Sequence, residues 1–200
     1  MGFLVRRLAR FLKILPVDAQ AIVKSEINPV GKMDLKDHDI FMIFDSKTQI
    51  YKSKACKDEP ETVKWIKENI KRGDVFYDVG ANVGAFSFVA WAVSKKNCKI
   101  YAFEPSFATF DALCRNILLN GAQNEVTPFN VALGQRTELT DLYYTSITPG
   151  KCQHAIGSPK NSNLENFIPQ AKLAISCYRL DDLIRTLQLP QPNYSVHIGL

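Results

Sequence analysis

Residues 76 to 88 read FYDVGANVGAFSF, with an acid two residues ahead of one glycine and a second glycine four positions on. The run up to Val79 is rich in β-branched and aromatic residues and suits a strand, VFYDV from Val75. After the glycines, GAFSFVAWAVSKK is apolar on nearly every side, as expected for a helix packed on a sheet. Gly80 and Gly84 let the connecting backbone turn sharply and approach a ligand with no Cβ in the way. In an open parallel sheet, ligands sit beyond the carboxyl ends of the strands, so this first β-α turn comes closest to them.

The flanking sequence repeats the alternation. Upstream, DEPETVKWIKENIKRGD offers Asp58 as a cap and Pro60 in the first turn, with Val63, Ile66 and Ile70 on one face and Gly73 as a stop. Downstream, KIYAFEP is a second strand, followed by a helix placing Phe107, Phe110, Cys114, Ile117 and Leu118 at helical spacing and ending at Gly121. EVTPFNVALG supplies a third strand, and the whole implies an α/β fold with parallel crossovers. Before this unit, DIFMIFDSKTQIYKSKA reads as a hairpin turning through Asp45–Thr48. Residues 140–176 are polar, with LYYTS and KLAISCY as strands of a second hairpin. RLDDLIRTLQL is a short helix with Asp181 and Asp182 as N-cap and dipole compensation. The division expected is an extension over residues 1–57 and an α/β domain over 58–200.

A chain of 200 residues, 46% hydrophobic, can bury a core without staples. Its five cysteines form no C-x-x-C pair, which argues for reduced thiols in a cytoplasmic protein and against a disulfide or zinc framework; no metal site is expected. The net charge of +5 is concentrated at the start: residues 1–36 hold seven Lys or Arg against three Asp or Glu. The rest is nearly balanced and carries no nucleic-acid footprint. In residues 1–15, Phe3, Leu4, Leu8, Phe11, Leu12 and Leu15 share a helical face, with Arg6, Arg7, Arg10 and Lys13 largely opposite. That helix suits either an anionic membrane surface or docking on the domain, and its interrupted apolar run is too short to span a bilayer.

The turn also selects a ligand by charge. Nicotinamide-binding turns usually read G-x-G-x-x-G and hold a pyrophosphate, but here Asn82 takes the middle glycine's place and Asp78 is expected to face the crevice. An acid there disfavours a pyrophosphate and attracts a ligand carrying an ammonium and a sulfonium. S-adenosylmethionine has both, and its carboxylate is expected on the N–H groups around Ala81 and Asn82. Glu104, ending the second strand, is placed to accept both ribose hydroxyls.

EPETVKWIKENIKRGDVFYDVGANVGAFSF, IYAFEPSFATFDALCRNILLNG, NVALG and YRLDDLI together resemble the FkbM-type methyltransferases, over about residues 59–195. The resemblance implies a Rossmann-like class I methyltransferase sheet with S-adenosylmethionine on Asp78, Gly80, Asn82, Gly84 and Glu104, and adenine near Asn130. It also implies O-methylation of a hydroxyl on a sugar, glycolipid or secondary metabolite, hence a small-molecule or glycan acceptor. The family places acidic residues at the end of its fourth strand in a run like K-I-D-V-D/E-G. Here PNYSVHIGL puts His197, Ile198 and Gly199 in that register, so a C-terminally truncated, non-catalytic cofactor or partner binder stands as the alternative, and no catalytic residue is assigned. Asn116 and Asn120 read as one face of a helix, Trp91 as core, and His154 as a solvated loop residue in preference to one facing an acceptor.

Overall fold

The computed structural model describes residues 2–160 and 163–197. Helices α1 (Gly2–Leu12) and α2 (Val17–Glu26) precede strand β1 (Val30–Lys32), which pairs antiparallel with β2 (Phe41–Ile43). The hairpin expected around Asp45–Thr48 is therefore displaced: β2 leads into helix α3 (Lys47–Lys52) and not into a second strand. The cause is a capping box, in which the Gln49 N–H donates to Ser46 Oγ at 3.2 Å and the Ser46 N–H donates to Gln49 Oε1 at 2.9 Å. Asp58 ends α4 (Ala55–Asp58) and does not cap α5 (Pro60–Asn69), whose N-cap is Glu59 and whose first residue is the expected proline.

The alternating unit then runs β3 (Val75–Val79), α6 (Ala85–Val93), β4 (Lys99–Phe103), α7 (Phe107–Leu119) and β5 (Val126–Phe129). A second group comes next: β6 (Ala132–Leu133), β7 (Glu138–Tyr144), β8 (Ala155–Ile156), β9 (Ala171–Tyr178), helix α8 (Leu180–Leu187) and β10 (Tyr194–His197). The main sheet is wholly parallel with order β10-β3-β4-β5, so the chain winds outward on both sides of β3. That reversal beside β3 is the topological switch point, where such sheets open a crevice at their carboxyl edge. A mixed sheet of order β6-β9-β7-β8 contains the expected second hairpin, β7 against β9.

Strand alternation divides the core. Phe76, Ile100, Ala102 and Val126 face α5, α6 and α7, while Tyr77, Tyr101, Phe103 and Phe129 face the side covered by α8. The second set forms an aromatic ladder, with Phe103 and Phe129 stacked at 5.3 Å between centroids. Met33, Leu35, Ile40 and Met42 from the first 57 residues bury in the same cluster as Val63 and Ile66, so one core runs through both segments. On α7 the buried register is Thr109, Ala112, Leu113, Asn116 and Ile117, whereas Phe107 and Leu118 of the expected stripe are exposed. On α8 the N-cap is Arg179 and not an acid; Asp182 lies in the first turn, accepting from Thr137 Oγ1 at 2.6 Å and pairing with Arg185.

Helix α1 leaves its apolar face in solvent: Phe3 is 76% exposed and Phe11 60%. No helix among the described residues is long and apolar enough to cross a membrane. All five cysteines are free.

Candidate functional site

The turn after β3 is built from left-handed residues. Gly80, Asn82 and Gly84 have φ of 79°, 52° and 93°, and asparagine is among the few side chains that tolerate this region. At Gly84 a Cβ would lie 2.7 Å from Leu113 Cδ1 and 2.9 Å from Phe88 Cε2, so helix packing and backbone both require glycine there.

The N–H groups of this turn find their acceptors within the protein. Gly80 and Ala81 both donate to the Phe103 carbonyl, at 2.9 and 3.0 Å, and Asn82 donates to Glu104 Oε2 at 2.9 Å. Val83 donates to Asn82 Oδ1 and Gly84 to the Ala81 carbonyl. The expectation that Ala81 and Asn82 offer free N–H groups to a ligand carboxylate is thus corrected: the turn is tied to β4 from within.

Glu104 is the pivot of that tie. It is 4% exposed; its second oxygen, Oε1, accepts from the Ser106 N–H at 2.8 Å. Burial pushes its pKa up to about 7, opposed by the Ser106 and Asn82 N–H groups, reinforced by the Asp78 charge and eased by Lys52. A carboxylate accepts at about four lone-pair positions, so two remain for hydroxyl donors.

Asp78 lies elsewhere than expected. Period-two alternation sets it on the same side of β3 as Phe76, under α6 and away from the crevice. It is 1% exposed, with Oδ2 accepting from Ser87 Oγ at 2.6 Å and Oδ1 left without a partner. Burial raises its pKa to about 6, with the Ser87 hydroxyl and backbone opposing. Ser87 is in the first turn of α6, so the acid stabilises a helix N-terminus. Asn130 is held back as well, donating to the Glu104 and Pro105 carbonyls at 2.8 and 3.2 Å.

A cavity of about 350 Å³ opens over the turn, lined by Gly80 to Val83 and Glu104 together with Lys52, Glu59, Lys151 and His154. The segment 149–154 closes one wall through distant anchors. Ser46 Oγ donates to the Pro149 carbonyl (2.9 Å), Gly150 N–H to Thr109 Oγ1 (3.2 Å), and Asn82 Nδ2 to the Gly150 carbonyl (3.3 Å). His154 is consequently buried, at 5% exposure, and not the solvated loop residue expected. Its Nδ1 accepts from the Thr145 N–H at 3.3 Å, leaving the ring proton on Nε2, which is buried without a partner. Burial holds its pKa below the usual imidazole range, against the Lys151 backbone.

Lys52, Glu59 and Lys151 carry no motif and were not expected. Asn116 and Asn120 do more than share a helix face. Asn116 accepts from the Ile43 N–H (2.9 Å) and donates to the Val83 carbonyl (3.0 Å), fastening β2 to the turn, while Asn120 meets both backbone groups of Phe41. Trp91 is core, as expected. Backbone pairing sets His197 beside Val79, whereas Ile198 and Gly199 lie outside the described residues. Among the described residues no cluster of three His, Cys, Asp or Glu could hold a metal ion.

No protein-family model matches the chain. It is 24% identical over 145 residues to the hexuronic acid methyltransferase AglP of Haloferax volcanii, covering 72% of this chain and 53% of that protein. It is 28% identical over 131 residues to the methyltransferase sdnD of Sordaria araneosa, covering 58% of this chain and 49% of that protein. The chain thus spans about half the length of the curated relatives it matches. Among solved structures, the methyltransferase FkbM of Methylobacillus flagellatus matches 76% of this chain and 36% of its own, at 14% identity and a TM-score of 0.43. In its sequence relatives the chain resembles methyltransferases, and its parallel β10-β3-β4-β5 sheet with a glycine turn after β3 is a Rossmann-like arrangement.

Proposed function

We propose that the chain binds S-adenosylmethionine in the cavity over Gly80–Gly84, with the ribose diol on Glu104, and transfers the methyl group to a hydroxyl of a sugar, glycolipid or secondary metabolite. The observation that carries this reading is Glu104: a buried carboxylate at the carboxyl tip of β4, facing the cavity with acceptor capacity to spare. The names of the two curated relatives support the reaction class, and a hexuronic acid is a sugar of the proposed kind. When bound, the cofactor supplies a methyl on a sulfonium, so that an acceptor oxygen displaces a neutral thioether. The protein's task is then to orient the two partners, worth about 7–11 kcal/mol in well-aligned reactions. Glu104 and Asn82 fix the turn, and Asp78 fixes α6 through Ser87. No general base is assigned.

Calorimetry with S-adenosylmethionine, S-adenosylhomocysteine and NAD tests the reading. Binding of both adenosyl ligands and not of NAD is expected; NAD binding alone, or no binding, sinks it. Product detection over a panel of uronic acids, neutral sugars and tRNA then separates a methyltransferase from a chain that only binds.

We also propose that α1 lies on an anionic membrane surface on the cytoplasmic side. In support, its apolar residues are exposed while Arg6, Arg7, Arg10 and Lys13 meet no acid before Asp18, and the cysteines are unpaired. Co-sedimentation with phosphatidylserine vesicles and not with phosphatidylcholine vesicles is expected, and deletion of residues 2–13 should abolish it. Equal binding after deletion would refute it.

A further inference from the structure

Three groups in the cavity have no part in holding a ribose or in shaping the turn. Lys52 enters from the last turn of α3, and Lys151 from the segment between β7 and β8; both are half-buried, and neither has an ion-pair partner among the described residues. Beside them the His154 Nε2–H is a buried donor without an acceptor. The orphaned N–H is costly to leave unmatched, and the two cations line the same cavity. A carboxylate suits both, since its two oxygens accept from an ammonium and an N–H at once.

We propose that Lys52, Lys151 and His154 form a carboxylate-binding subsite in the cavity beside Glu104. The proposal rests on the cofactor reading only for the identity of its neighbour. The carboxylate comes either from the amino-acid end of the cofactor or from an acidic acceptor. Two acids share the cavity, Glu59 and Glu104. Glu104 is already engaged by the Asn82 and Ser106 N–H groups, and among the described residues neither acid forms an ion pair with Lys52 or Lys151. Glu59 suits the ammonium that accompanies the carboxylate in an amino-acid group.

The test is calorimetry on the whole chain and on Lys52→Met, Lys151→Met and His154→Gln, with Lys151→Arg as a charge-keeping control. The probes are S-adenosylhomocysteine, 5′-methylthioadenosine, which lacks the carboxylate, and glucuronate added over saturating S-adenosylhomocysteine. If the cofactor supplies the carboxylate, each lysine loss weakens S-adenosylhomocysteine about tenfold or more, leaves 5′-methylthioadenosine unchanged, and is reversed in Lys151→Arg. If the acceptor supplies it, both nucleosides bind as in wild type and glucuronate binding is lost instead, while the methyl ester of glucuronate never binds. Indifference of every carboxylate probe to the substitutions, or equal weakening of both nucleosides, overturns the subsite and leaves the cofactor reading standing. Failure of wild type to bind either nucleoside removes the cofactor reading, and the subsite then stands or falls on glucuronate, tested without nucleoside, alone.

Discussion

Two walls of one cavity are built on opposite principles. The turn over residues 79–84 owes its shape to its own residues: left-handed positions at Gly80, Asn82 and Gly84, with N–H groups bonded to the end of the neighbouring β4. The segment 149–154 also has left-handed positions, at Gly150 and Gln153, but it is held from outside by Ser46, Thr109 and Asn82 of three separate elements. The first wall is therefore recognisable in a sequence. The second is invisible in sequence and sensitive to residues more than a hundred positions away, such as Ser46 at a separation of 103.

The contrast can be broken most forcefully at Gly84. Alanine there meets both a positive φ and a contact under 3 Å, and should cost about 3–4 kcal/mol in urea unfolding; a loss below about 1 kcal/mol would mean the turn is adaptable. Titration separates the walls by sign. Glu104 and Asp78, whose folded pKa values are raised to about 7 and about 6, stabilise fully below the unfolded carboxylate range and lose that contribution as pH rises through those values. His154, with its pKa lowered, does the reverse: its contribution is present above the ordinary imidazole pKa and is lost as pH falls below it. Melting curves should show the acids dominating, with stability falling by about 2–3 kcal/mol between about pH 5 and pH 8 and the slope flattening in Glu104→Gln. A slope unchanged in that variant would contradict the assignment.

Asn116→Ala, which strands Ile43 N–H and the Val83 carbonyl, should cost about 2 kcal/mol and act on the turn through β2. The smallest effect is expected for Ser46→Ala, about 1 kcal/mol from the lost cap and the lost anchor on Pro149. Its signature should be local: faster amide exchange over residues 149–154 and none over 79–84. Equal exchange in both segments would show that the walls are one unit.

Much of the fold was legible because strand and helix periods from Pro60 to Phe129 agree with their turn residues. Where sequence and structure part, a specific competitor won. Around Ser46 the capping box outweighed the β-prone run of Ile50 and Tyr51. On α7 two apolar registers were available, and the buried one carries Asn116, whose hydrogen bonds to β2 and the turn are long-range. At Asp78 the charge argument overlooked alternation: an acid two residues after a buried phenylalanine must share its face. The place of Glu104 beside the cavity was legible because a strand end beside a glycine turn is a local signal. Those of Lys52 and Lys151 were not, because only the fold brings α3 and the 149–154 segment together.

The central strand has partners of very different provenance. β4 comes after β3 with one helix between them, but β10 joins it through Asn193, whose side chain and backbone bond Val75 across 118 positions. Closing so long a chain segment is slow, so β3, β4 and β5 should assemble as an early folding nucleus with one flank bare until β10 arrives. During synthesis that flank stays open until β10 has emerged, a window in which chaperone capture would have its greatest effect on yield.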